Sequence, residues 1–107
     1  MFGGGACVLD FDKDGWEDVY ITGGTNDDVL YRNNRNGSFT NVFIHSGLEV
    51  TKKFVTQGAA SADVNRDGYP DLFVTTITSR ERHEQIPREI NLFFINNGDG
   101  TFRDATK

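Results

Sequence analysis

Hydrophobic and polar positions alternate along this chain in short bursts, and the bursts come in two sets of four. The first set covers residues 5–9, which are small and apolar, then 19–22, 29–32 and 38–42; the second covers 58–62, 72–76, 92–95 and 101–104. The second and third members of each set are rich in β-branched and aromatic residues, the composition that suits a pleated, half-buried surface. Between the bursts stand clusters of Asp, Asn and Gly that turn the chain, including Asn36-Gly37 and Asp99-Gly100 ahead of the fourth member. No segment longer than about ten residues keeps the 3.6-residue period of an amphipathic helix. The pattern predicts an all-β chain of short antiparallel strands.

The two sets are copies of one unit. Residues 5–22 align with 58–75 at an offset of 53, so that Asp10, Asp14, Gly15 and Asp18 fall on Asp63, Asp67, Gly68 and Asp71. Residues 30–39 align with 93–102 at an offset of 63, which places Asn33, Asn34, Gly37 and Phe39 on Asn96, Asn97, Gly100 and Phe102. The change of offset puts ten extra residues between Thr78 and Asn91. Four antiparallel strands in a unit of about 50 residues describe a β-propeller blade. The first strands fit this, because innermost strands crowd the central axis and Gly4, Gly5, Ala6, Ala59, Ala60 and Ala62 leave room there. The expectation is two four-stranded blades, residues 1–48 and 49–107, the second with an inserted loop at 79–90. Two blades do not close a ring. Either further blades lie in a longer parent chain, the expectation taken here, or two-blade chains assemble into one.

Charge changes the picture by its placement. The chain of 107 residues carries a net charge of −5, and eight of its sixteen acidic residues sit in two loops: Asp10, Asp12, Asp14, Glu17 and Asp18, then Asp63, Asp67 and Asp71. The other eight are outnumbered by eleven Lys and Arg, so the acidity belongs to the loops. Such a chain lacks the basic footprint of a nucleic-acid binder. No apolar run approaches the ~20 residues that cross a bilayer, and no signal peptide is visible at the start. The abrupt opening close to the first loop suggests a piece of something longer. The single cysteine, Cys7, cannot form an internal disulfide and is expected as a small buried filler.

The first loop has the spacing D-x-D-x-D-G-x-x-D. Calcium is a hard cation that takes six to eight oxygens at ~2.3–2.6 Å. Asp10, Asp12 and Asp14 converge on one ion if the backbone wraps around it, and Gly15 permits the sharp turn. Trp16 then offers its backbone carbonyl, and Asp18 a carboxylate from the far side. The corresponding set in the second loop is Asp63, Asn65, Asp67, the Tyr69 carbonyl and Asp71. An EF-hand or dockerin loop starts the same way but needs an acid at position 12, where Ile21 or Val74 stands. Magnesium prefers fewer protein ligands and more water. Two calcium sites are therefore expected, both structural, with the four-carboxylate first loop binding more tightly than the second, where Asn65 is neutral.

These residues resemble the FG-GAP/VCBS repeat of integrin α-subunit propellers and of many secreted bacterial proteins. The resemblance rests on the Gly5-Ala6 entry, the acidic loop, the exit Asp18-Val19-Tyr20-Ile21, and the Leu30-Tyr31, Asn33, Gly37, Phe39 segment. Phe39-Thr40-Asn41-Val42 followed by Gly47-Leu48 is similar to blade junctions of the cartilage acidic protein-like (ASPIC/UnbV) group. The resemblance implies calcium, a seven-bladed propeller and an extracellular or cell-surface setting.

In propeller geometry the two acidic loops share a face with the loops joining strands three and four. The inserted segment then projects from the opposite face. Its Arg80, Arg82, His83 and Arg88 are candidates for contact with an extracellular protein or glycan, although alternating charge around Pro87 equally describes a solvated loop. His45 and His83 lack a nucleophile or paired acid at meaningful spacing, so no catalytic residue is expected. Asn36-Gly37-Ser38 matches a glycosylation acceptor but reads equally as turn chemistry. The leading expectation is a non-enzymatic, calcium-stabilised propeller segment for adhesion or for protein or glycan recognition. The others are an accessory part of a larger secreted enzyme, such as a polysaccharide lyase, and a metal-rigidified spacer with no ligand.

Overall fold

The computed structural model of the chain describes residues 5–24, 26–79 and 90–106. Eight strands form two sheets, each a meander in chain order. The first contains β1 (Ala6–Leu9), β2 (Asp18–Ile21), β3 (Val29–Asn33) and β4 (Phe39–Asn41); the second contains β5 (Phe54–Ala62), β6 (Asp71–Ser79), β7 (Ile90–Asn96) and β8 (Phe102–Asp104). All neighbouring strands are antiparallel. The strands lie where the alternation placed them, and the largest departures are in the second sheet. There β5 and β6 run to nine residues each. The pairing of β5 with β6 shifts register around Val55, Thr56 and Gly58. Such an irregularity blurs strict alternation and hides a strand extension from a pattern search.

Register decides which side of each sheet is buried. Pairing of Cys7 with Tyr20, Leu9 with Asp18 and Tyr20 with Leu30 puts those side chains on one face of the first sheet. Ser61 with Leu72, Val74 with Leu92 and Leu72 with Phe94 define one face of the second. These two faces supply a common core in which Leu9, Tyr20, Leu30, Leu72, Val74 and Phe94 are almost or fully inaccessible. Cys7 is a free, buried thiol within it, and burial raises its pKa. At the innermost edge β1 and β5 nearly touch. A Cβ on Gly5 would stand 2.7 Å from the Gly58 Cα, so the small first strands have a steric reason.

The connector between sheets is more structured than its sequence suggested. Phe43 and Leu48 enter the core, and the Ser46 carbonyl accepts the Phe102 amide at 2.7 Å, fastening the connector to the start of β8. Gly47 passes so close to Phe102, with φ of +88°, that a Cβ would lie 1.9 Å from the Phe102 carbonyl oxygen. A 3₁₀ helix, Glu49–Lys53, follows. The Glu49 carboxylate reaches back to the amides of His45 and Gly47. This accounts for His45 structurally: its φ of 71° belongs to the turn that Glu49 holds.

A second buried polar group was not foreseen. Asp28 is 2% exposed and receives the Tyr20 hydroxyl, the Gly23 amide at 2.7 Å and the Thr56 hydroxyl at 2.5 Å. Thr56 lies on β5, so this carboxylate joins the two sheets. Burial and the Asp28 charge push the Tyr20 phenol well above its ordinary pKa, which keeps it a donor.

Candidate metal centre

The first acidic loop, between β1 and β2, is organised by its own carboxylates before any ion is considered. Asp10 accepts the Asp14 amide at 3.1 Å and the Gly15 amide at 2.8 Å, and Asp14 accepts the Trp16 amide at 2.9 Å. Two left-handed residues, Lys13 at φ 59° and Gly15 at φ 89°, wind the backbone around these groups. Asp18 is fully buried at the start of β2. One of its oxygens accepts the Phe11 amide at 3.2 Å, and the other the Asn33 amide at 2.8 Å. It thereby ties the start of the loop to the end of β3.

This winding brings one oxygen from each of Asp10, Asp12, Asp14 and Asp18 within 4.8 Å of the others. Oxygens sharing one calcium at ~2.4 Å can be no farther apart than about twice that distance, so the spread suits a common ion. The Asp12 Oδ1 atom is buried and, among the described residues, lacks a hydrogen-bond partner. An unmatched carboxylate oxygen is costly unless a cation meets it. Burial, reinforced by the charges of Asp18 and Asp14, pushes the Asp12 pKa up to about 6, and burial also raises that of Asp18. The Trp16 side chain is 45% exposed.

The second loop, between β5 and β6, repeats the hydrogen bonds. Asp63 accepts the Asp67 amide at 3.2 Å and the Gly68 amide at 2.8 Å, and Asp67 accepts the Tyr69 amide at 3.0 Å. Arg66 and Gly68 take the left-handed angles of Lys13 and Gly15. Buried Asp71 accepts the Val64 amide at 3.0 Å and the Asn96 amide at 2.8 Å. Among the described residues, however, only the first loop gathers three or more acidic, His or Cys side chains this tightly. Asn65 stands in the second loop where the first has Asp12.

Three contributors lay outside the sequence-based site. Arg35, in the loop from β3 to β4, pairs with Asp14 at 3.1 Å. That contact puts the two loops on one side of the sheet, as blade geometry requires. Asn33 Nδ2 donates to the Glu17 carbonyl at 3.1 Å. Its repeat counterpart Asn96 donates to the Pro70 carbonyl at 3.0 Å and also to the Phe11 carbonyl at 2.8 Å, crossing from the second sheet into the first loop. The Asn residues recur at the same place in both units, which was the available signal. Asn36-Gly37-Ser38 forms a turn in which Asn36 Oδ1 accepts the Ser38 amide at 3.1 Å. Arg80, Arg82, His83 and Arg88 lie outside the described residues.

The raised acids give a pH prediction for the metal-free chain. Asp12 has its folded pKa near 6, above the ordinary value of 3.8, so between those values the folded state holds more protons than the unfolded state. The Asp12 contribution to stability therefore falls as pH rises from about 4 to about 6. Chemical denaturation in chelator across that window should show the decline, and Asp12→Asn should flatten it.

The FG-GAP-like repeat family model matches residues 10–74, from the first acidic loop into β6. No curated protein matches the chain.

Proposed function

The chain belongs to the FG-GAP-like repeat family, and from that premise we propose that it is a calcium-stabilised β-propeller segment that works outside the cell as a recognition scaffold. The observation that carries the metal reading is the convergence of Asp10, Asp12, Asp14 and Asp18 around the buried, unpartnered Asp12 oxygen. Four carboxylates, of which Asp14 pairs with Arg35, make a site for a hard cation. Asp63, Asn65, Asp67 and Asp71, with one acid fewer, form the weaker second site. The Trp16 and Tyr69 carbonyls are proposed as additional oxygen ligands.

In this reading calcium is structural and the chain is not an enzyme. The acidic side chains support it, because their partners are mainly the loops' own amides, an arrangement that fixes backbone. Adhesion, or recognition of an extracellular protein or glycan, is the proposed use of the scaffold.

Titration with calcium after chelation tests the metal reading. At a free concentration a hundredfold above the dissociation constant, binding to the folded state should add about 2.7 kcal/mol, read as a higher unfolding midpoint. Asp12→Asn should weaken the first site. A midpoint equal in chelator and in excess calcium would remove the proposal.

A further inference from the structure

The chain contains two Asn-Gly pairs, Asn36-Gly37 in the first unit and Asn97-Gly98 in the second. The dipeptide has a chemistry of its own. The glycine amide nitrogen can attack the asparagine side-chain carbonyl, because glycine has no side chain to hinder the approach. Both pairs are exposed and stand in the turns from β3 to β4 and from β7 to β8. Their hydrogen bonds differ at the atoms that would react.

At Asn97 the nucleophile and the leaving group are both held. The Gly98 amide donates to Asn96 Oδ1 at 2.8 Å, and Asn97 Nδ2 donates to Thr101 Oγ1 at 3.0 Å. At Asn36, among the described residues, neither the Gly37 amide nor Nδ2 meets an acceptor, and a Cβ on Gly37 would touch nothing within 4 Å. Asn36 Oδ1 accepts the Ser38 amide at 3.1 Å and the Ser38 hydroxyl at 2.6 Å. That hydroxyl points its proton at Asn36, since its oxygen already accepts Asn34 Nδ2 at 3.0 Å. Asn97 Oδ1 also has a donor, Arg103 at 3.2 Å, so a polarised carbonyl is common to both turns. Only the first turn adds a free nucleophile and a free leaving group.

We propose that Asn36 is a site of spontaneous deamidation in the folded protein, and that Asn97 is protected. Hydroxide takes the Gly37 amide proton, and the nitrogen bonds to Asn36 Cγ. Negative charge gathers on Oδ1, where the two Ser38 donors meet it. The Cγ–Nδ2 bond then breaks, and Nδ2 takes a proton from water and leaves as ammonia. Water opens the cyclic imide, at Cγ to give aspartate or at the main-chain carbonyl carbon to give isoaspartate. The aspartate product has a precedent in the second unit. Asp99, the repeat counterpart of Asn36, accepts the Thr101 amide at 3.1 Å and the Thr101 hydroxyl at 2.6 Å, the same pair of bonds. Conversion adds a negative charge beside Arg35, the cation that pairs with Asp14.

Incubating the folded protein at mildly alkaline pH, then digesting it for mass spectrometry, tests this. Aspartate and isoaspartate should accumulate at position 36 roughly tenfold faster than at 97, where hydrogen bonds must open before reaction. In concentrated urea both turns are lost, and the two rates should converge. Three results overturn the proposal: equal rates at the two pairs in the folded protein, no conversion at Asn36, or a preference for Asn36 that persists unchanged in urea. The last would assign the difference to flanking sequence and not to the fold.

Discussion

Gly47→Ala is expected to cost roughly 3–5 kcal/mol, a large share of a small domain's stability. Two penalties add. The residue holds φ at +88°, which an L side chain rarely adopts, and the new Cβ would meet the Phe102 carbonyl oxygen at 1.9 Å and its carbon at 2.9 Å. Those are backbone atoms of a strand and cannot rotate aside. The connector would have to leave β8, breaking the Ser46–Phe102 hydrogen bond and disturbing the Phe11–Phe102 stack. Gly37→Ala is the control, because Gly37 has φ of +91° with nothing near its missing Cβ. It should cost only the conformational part, about 1–2 kcal/mol. Urea unfolding midpoints of the two variants separate steric from conformational cost, and equal losses would show that Gly47 does not close the seam.

The second large effect is expected at Asp71. Its two oxygens are the partners of the Val64 and Asn96 amides. Truncation to Ala leaves the buried Asn96 amide unmet, at about 1–3 kcal/mol, and the partly buried Val64 amide as well, at somewhat less. Asp71→Asn should be milder, since one acceptor oxygen survives. The measurement belongs in chelator as well as in calcium. A carboxylate that only ligated metal would lose its importance once metal is removed, whereas a clasp for two backbone amides keeps it. Persistence of the loss in chelator is the expected result, and its disappearance would assign Asp71 to the ion alone.

These variants also mark where sequence was sufficient and where it was not. The two four-stranded sheets were legible because turn residues and alternating apolar positions are local signals, and the repeat supplied each one twice. The convergence of Asp10, Asp12, Asp14 and Asp18 was legible for the same reason: nine consecutive residues hold all four. Asp28 was not. Its partners Tyr20, Gly23 and Thr56 are spread over 37 positions of the chain, and no spacing rule connects them. The second unit offers no copy to compare, because Phe73 and Asn91 stand where the first has Tyr20 and Asp28. Gly47 read only as part of a blade junction, since the atoms that forbid a side chain there belong to Phe102, a strand residue of the other unit. The 3₁₀ helix escaped because five residues are too few for periodicity to register.

The dual roles of Asp18 and Asp71 refine what an acidic loop of this kind is. In each, the last acid is a buried brace between loop and strand, while the earlier acids shape the turn. Under the proposed calcium site, ion affinity and fold stability would draw on the same side chains, and a substitution series scored only by metal binding would confuse them.

Phe11 is held at both ends of one residue: its amide by Asp18 within the first sheet, its carbonyl by Asn96 of the second. Order in the first loop and docking of the neighbouring sheet are therefore not separate events. The chain's unit of cooperativity is offset from its unit of repetition: it is a loop together with the sheet that follows, and it straddles the boundary between one copy of the repeat and the next.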